Sequence, residues 1–202
     1  MMCRRWAAFL LLALLAACSD PAPRLERLGA EDIVLAFGDS LTYGTGAKTE
    51  ESYPAVLSQL IGRAVTGAGV PGEVTAGGLA RLAGVLDEHK PRLVLLCLGG
   101  NDFLRKGSLS ETEANLRAML NIIRTRGIGV VLIGVPQPAL IARAPDFYQK
   151  LAGEFRIPYE GGIIGNVLRT PELKSDPVHP NAAGYRRIAE ALAQLLRESG
   201  AL

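Results

Sequence analysis

No apolar run in this 202-residue chain is long enough to cross a bilayer. The longest, Trp6 to Ala17, has 12 residues, where a spanning helix needs about 20. Histidine is nearly absent: His89 and His179 are the two in the chain, so imidazole chemistry has few places to reside. Cysteine is equally scarce. Cys3 and Cys18 flank the apolar run and Cys97 sits inside another apolar stretch, Leu93 to Leu98, which leaves no pair suited to a structural disulfide. Charge of one sign is also missing, with 22 Lys and Arg against 20 Asp and Glu. Without a basic stripe to displace counterions from phosphates, nucleic acid is not the expected partner.

What is present begins with the N-terminus. Arg4 and Arg5 ahead of the Trp6–Ala17 run make the first 17 residues read as a secretory leader. Its end, Leu15-Ala16-Ala17-Cys18, resembles a bacterial lipobox. That resemblance implies cleavage before Cys18, acylation of its sulfur and new amino group, and a lipid anchor in the cell envelope. Ser19 in the following position favours the outer membrane, with the protein facing the periplasm. An uncleaved apolar anchor is the alternative. Loss of Arg4 and Arg5 would leave a mature chain of 20 basic and 20 acidic residues, with near-zero net charge. Residues 18–31, with Pro21 and Pro23, read as a tether, and residues 32–202 as one domain, with no internal repeat.

The domain starts on Ile33-Val34-Leu35-Ala36-Phe37, an unbroken apolar run that stops at Gly38-Asp39-Ser40. Such a run fits a strand buried on both faces of a parallel sheet. Helices are expected over Ser52–Ile61, Thr75–Lys90, Ser110–Arg126, Pro145–Phe155 and Ala182–Ser199. Between them, strands are expected near Ala64–Thr66, Leu93–Leu98 and Val130–Val135. Alternation of this kind means βαβ units, hence an α/β fold with a parallel sheet covered on both faces. Ser40, Gly69-Val70-Pro71-Gly72 and Gly99-Gly100-Asn101-Asp102 then all fall at the C-terminal ends of strands, where open α/β sheets bind ligands.

Those residues make a chemical set with Asp176-Pro177-Val178-His179. A serine hydroxyl is a weak nucleophile until a base takes its proton, and an imidazole base needs a third group to hold its tautomer. His179 and Asp176, three residues apart in a proline-held turn, can fill both roles for Ser40. The Ser40 and Gly72 N–H groups and the Asn101 side-chain amide can receive an oxyanion. His89, at the end of the Glu88-His89-Lys90-Pro91 stretch, reads as a solvated helix end, and Cys97 as a small core residue.

With these positions in view, the chain from Ile33 onward resembles the SGNH-hydrolase family, also called GDSL esterases and lipases. The resemblance rests on Gly38-Asp39-Ser40-Leu41, Gly78-Leu79-Ala80-Arg81-Leu82, Gly99-Gly100-Asn101-Asp102 and His179-Pro180-Asn181. It is strongest to the thioesterase, lysophospholipase and arylesterase branch. It implies a three-layer α/β/α, flavodoxin-like fold and an esterase without metal or organic cofactor, acting on small acyl esters or thioesters; a monomer is the separate expectation. Carried over by position, Ser40, Asp176 and His179 are the triad, and Ser40, Gly72 and Asn101 the oxyanion hole. Two stretches depart from the branch. Gly67-Ala68-Gly69-Val70-Pro71-Gly72 replaces its usual Asn-Ala-Ser-x-Ser-Gly, and Val135-Pro136-Gln137-Pro138-Ala139-Leu140-Ile141 lacks the Asn-Tyr-Gly of many relatives.

Other readings stand beside this one. Gly67-x-Gly69-x-x-Gly72 formally matches a dinucleotide fingerprint, although Pro71 is a poor helix opening. The same scaffold could serve a non-catalytic surface lipoprotein. A carbohydrate O-acetylesterase of the cell envelope is the alternative within hydrolases. The apolar stretch from Val135 to Ile141, with Phe103 and Leu104, favours acyl chains unless those residues only pack.

Overall fold

The run after Asp32 forms β1 (Val34–Gly38), in which all five residues are buried. A strand so apolar must lie inside a sheet with both faces covered. The computed structural model, which describes residues 23–138 and 143–202, places it there. β1 pairs on one side with β2 (Val65–Gly69) and on the other with β3 (Leu93–Cys97). β4 (Gly129–Ile133) and the two-residue β5 (Tyr159–Glu160) follow, giving a fully parallel sheet in the order β2-β1-β3-β4-β5.

Eight α-helices connect these strands among the described residues: α1 (Ser40–Tyr43), α2 (Tyr53–Ile61), α3 (Thr75–His89), α4 (Gly100–Leu104), α5 (Leu109–Thr125), α6 (Asp146–Phe155), α7 (Ile163–Arg169) and α8 (Ala182–Glu198). α2 packs on α8, and α3 on α5, so helical layers cover the sheet. The α/β/α architecture expected from the alternation is therefore present. The chain leaves β1 for β2 at one edge and then crosses to β3 on the other side. The sheet thus reverses its winding between β1 and β3, and the crevice outside their C-terminal ends is the place where such folds bind ligands.

Several elements differ from expectation, each for a physical reason. Ser52 stands at the start of α2 with Pro54 in the first turn, but its hydroxyl donates to the Thr49 carbonyl at 2.7 Å instead of capping the helix. α5 begins one residue early because Ser108 is its N-cap and accepts from the Glu111 N–H. β2 runs through Gly67 to Gly69, residues expected in a loop. Two glycines of the fingerprint-like spacing are therefore strand residues, and no glycine-rich turn opens a helix there. β5 and α7 went unforeseen because a two-residue strand has no period and α7 is only seven residues long.

The leader and Cys18 lie outside the described residues, as do Ala139 to Ile141. Part of the stretch read as tether packs on the domain. The Leu25 and Leu28 N–H groups donate to the Ser199 and Ala201 carbonyls, both at 2.8 Å, and Leu28 is buried in the core. From Leu25 to Ala201 the chain thus closes a hydrophobic core of its own. No described helix is long and apolar enough to cross a membrane.

Candidate active site

Gly38 ends β1 where a side chain could not fit, since a Cβ there would lie 2.2 Å from the Cys97 carbonyl oxygen. Close approach lets the chain turn directly into α1. Asp39 caps that short helix by accepting from the Leu41 N–H at 3.0 Å, which sets Ser40 at the first helical position. The Ser40 hydroxyl faces the crevice.

His179 reaches it from the far end of the sequence. A chain reversal carries it there: Lys174 bridges Pro180, and the Ser175 N–H donates to the His179 carbonyl at 2.9 Å. Asn181 then caps α8 by accepting from the Gly184 N–H at 3.1 Å. His179 Nε2 lies 3.0 Å from Ser40 Oγ, and its Nδ1 lies 2.7 Å from Asp176 Oδ2. The other Asp176 oxygen accepts from the Val178 and His179 N–H groups, each at 2.8 Å. Partial burial pushes the Asp176 carboxyl up. The hydrogen bonds from the His179 side chain and the two N–H groups outweigh that and hold it below the usual carboxylate range. An ionised carboxylate only accepts, so the Nδ1 proton faces it and Nε2 is left to accept from Ser40.

The oxyanion candidates sit across the cleft. Gly72 occupies a turn after β2 with φ of +79°, a left-handed conformation that favours glycine, while little of the protein lies where its Cβ would be. The Ser40 and Gly72 N–H groups donate to none of the described residues. Asn101 follows β3 at the start of α4. Its amide donates to the Glu73 carbonyl at 3.0 Å and, less closely, to Asp39 Oδ2 at 3.3 Å. Both neighbours are acceptors, so the amide nitrogen is the end facing them. The Asp39 contact is the longer and weaker of the two, so its proton is the one for which a developing oxyanion can compete.

Two groups supporting this cradle were not singled out from sequence. Asp39 is fully buried beside Asn101, and burial, only partly offset by the Leu41 N–H, raises its carboxyl to about 7. Arg81, in the Gly78–Leu82 block, grips the Glu73 carboxylate through Nε at 2.8 Å and a terminal nitrogen at 2.6 Å. The same nitrogen donates to the Gly38 and Ala68 carbonyls, and the guanidinium lies 4.0 Å over the Phe37 ring. One side chain thereby ties the ends of β1 and β2 to the residue after Gly72. A signal existed: Arg81 is three residues from buried Gly78 and adjoins buried Leu82, and a charge beside a helix's apolar stripe requires a partner.

The cleft has a volume of about 680 Å³, within the range of small-molecule sites. Leu104, Val135, Pro136, Pro138 and Leu168 form an apolar wall, and Thr45, Gln137, Arg169 and Lys174 add polar groups. Phe103, one of the residues that favoured acyl chains, does not line it. It is buried and packs against the Phe147 ring at 6.4 Å. His89 ends α3 away from this site, 4.0 Å from Glu88, and Cys97 is buried. No cluster of three or more metal-ligating side chains occurs among the described residues.

Comparison with known proteins gives a consistent result. Residues 36–187 match the model of the GDSL-like Lipase/Acylhydrolase family. The chain is 33% identical over 179 residues to the thioesterase 1/protease 1/lysophospholipase L1 of Escherichia coli, covering 85% of this chain and 86% of that one. It is 33% identical over 178 residues to the arylesterase of Vibrio mimicus, with 83% and 89% covered. Among solved structures, that of TesA aligns with a TM-score of 0.74 at 27% identity, covering 83% of this chain and 99% of that one.

Proposed function

Since the chain belongs to the GDSL-like lipase/acylhydrolase family and is an ester-bond hydrolase, we propose that it cleaves acyl esters or thioesters through a Ser40-His179-Asp176 triad. The observation that carries this reading is the unbroken path from Ser40 Oγ to His179 Nε2, and from His179 Nδ1 to Asp176, at 3.0 and 2.7 Å. Ser40 Oγ attacks the substrate carbonyl carbon as its proton passes to Nε2. The carbonyl oxygen becomes an oxyanion received by the Ser40 and Gly72 N–H groups and the Asn101 amide. Collapse breaks the ester bond, and the alcohol or thiol leaves with the proton from His179. Water, deprotonated by His179, then releases the acid from Ser40. No step calls for a metal or organic cofactor.

The apolar wall supports acyl chains over sugar-borne acetyl groups, which remain the alternative. Names of the relatives, a thioesterase/lysophospholipase and an arylesterase, support the same substrate class. The Arg4-Arg5 and Leu15-Ala16-Ala17-Cys18 pattern supports acylation at Cys18, so we place the enzyme, as a monomer, on the periplasmic face of a bacterial outer membrane. Hydrolysis of p-nitrophenyl esters from acetate to palmitate, beside palmitoyl-CoA and a lysophospholipid, tests the reading. Esters or thioesters with medium or long acyl chains are expected to outrun acetate in kcat/KM; a preference for acetylated sugars would transfer the assignment to O-acetyl esters.

The oxyanion hole has its own test. Asn101→Ala removes a donor needed more in the transition state than in the ground state, so kcat is expected to fall about 10²- to 10³-fold with KM little changed. A raised KM at intact kcat would make Asn101 a substrate-binding residue instead.

A further inference from the structure

At the other edge of the sheet, where the strands begin, lies a second pocket of about 280 Å³. Leu25, Leu28, Leu93, Ile128, Phe155 and Pro158 make an apolar floor. Around it converge four exposed arginines, Arg24, Arg92, Arg124 and Arg156, with Glu26 as the one acid. Arg92 donates to Glu26, and Arg124 lies 4.9 Å over the Phe155 ring while donating to Asn121. The Arg24 and Arg156 guanidinium groups donate to no described residue. Cations at helix C-termini are a common complement to the helix dipole, and this accounts for Arg124 and Arg156. It does not account for Arg24 and Arg92, which lie on no helix.

The position of this pocket gives it an occupant. The described chain enters the domain at Pro23 and Arg24, on the pocket wall. Arg24 is six positions after Cys18, a reach of about 20 Å at most. A bilayer holding an acylated Cys18 therefore lies against this edge. Apolar floor and guanidinium rim match an amphipathic anion, because guanidinium groups bind phosphate oxygens in pairs while the floor takes the apolar part.

We propose that this pocket docks the phosphate headgroups of anionic lipids and sets the orientation of the domain on its membrane. The inference rests on the lipid-anchor part of the functional reading. The Ser40 cleft is at the opposite ends of the same strands, about 16 Å away for five residues, so it opens away from the anchoring bilayer. Substrate then reaches it from the aqueous side and not out of the membrane beneath.

The test uses the chain from residue 18 onward carrying Cys18→Ser, which keeps the whole folded core and has lost Trp6, the one tryptophan. It is expected to float with vesicles of phosphatidylcholine mixed with phosphatidylglycerol, and not with phosphatidylcholine alone. Arg24→Gln combined with Arg156→Gln should lower that partition about 25-fold, since each basic residue near an anionic surface contributes about fivefold. Hydrolysis of a soluble short-chain ester should be unchanged. Equal binding to both vesicles, no loss in the double variant, or displacement by inorganic phosphate at matched ionic strength overturns the proposal. Orientation is read from single tryptophans. Brominated lipid should quench Phe155→Trp and spare Leu104→Trp; quenching of Leu104→Trp, or of neither, is equally fatal. Acylation of the native chain, read by its mass, and ester hydrolysis report separately on the reading beneath.

Discussion

Ser40→Ala is expected to lower kcat for ester hydrolysis by about five to six orders of magnitude, the scale seen when a triad nucleophile is removed. Among the described residues His179 is the one side-chain partner of the Ser40 hydroxyl, so the domain should keep its melting temperature within a few degrees. His179→Ala should cost nearly as much. Both groups act in one proton transfer, and once either is gone the other has nothing to accelerate. The double variant should accordingly be little worse than either single one. Additive losses would mean that the two residues work in separate steps, and near-normal turnover by folded Ser40→Ala would sink the triad.

Asp176→Asn has the next largest expected effect, up to about 10⁴-fold in kcat. The reason lies in the direction of one proton. Asp176 Oδ2 can only accept, which fixes the proton on His179 Nδ1 and leaves Nε2 basic. An amide nitrogen presented there would reverse the tautomer and put a proton between His179 and Ser40. Oδ1 of Asp176 also holds the turn through two N–H groups, and the Asn carbonyl can keep those bonds if it faces them. Because the Asp176 side chain is 44% exposed, the stability change should stay within about 1 kcal/mol. A loss of activity that merely tracked unfolding, measured by circular dichroism beside kcat, would reassign Asp176 to structure.

These two expectations draw on different kinds of information. The types of group came from the chain itself: a lone Ser after an apolar run, one His outside a surface helix, and a carboxylate three residues before it. Their meeting did not. Ser40 and His179 are 139 positions apart, and only the β1–β3 reversal together with the Lys174–Pro180 bridge brings them within hydrogen-bonding reach. The cradle was harder still to read. Arg81 and Glu73 belong to no catalytic pattern, yet their pairing fixes the carbonyl that holds Asn101. Buried Asp39 looked like the middle letter of a motif, and its contact with Asn101 needs two loops from different strands.

The sequence by itself determined the parallel sheet, because uninterrupted apolar runs of five or six residues can be satisfied only when both faces are covered, and helical periodicity between them supplies the cover. It also narrowed the chemical inventory, since His89, which ends a helix away from the cleft, is the one other imidazole besides His179. Tertiary structure decided where β2 ends, since Gly67 to Gly69 join an edge strand through backbone pairing that no side-chain pattern records. It decided that Phe103 packs while Leu168 lines the cleft, and that four arginines from separate elements gather around one pocket. Periodicity reports which face of an element is buried. Which elements share that face depends on chain crossings between residues far apart, and only the assembled sheet supplies them.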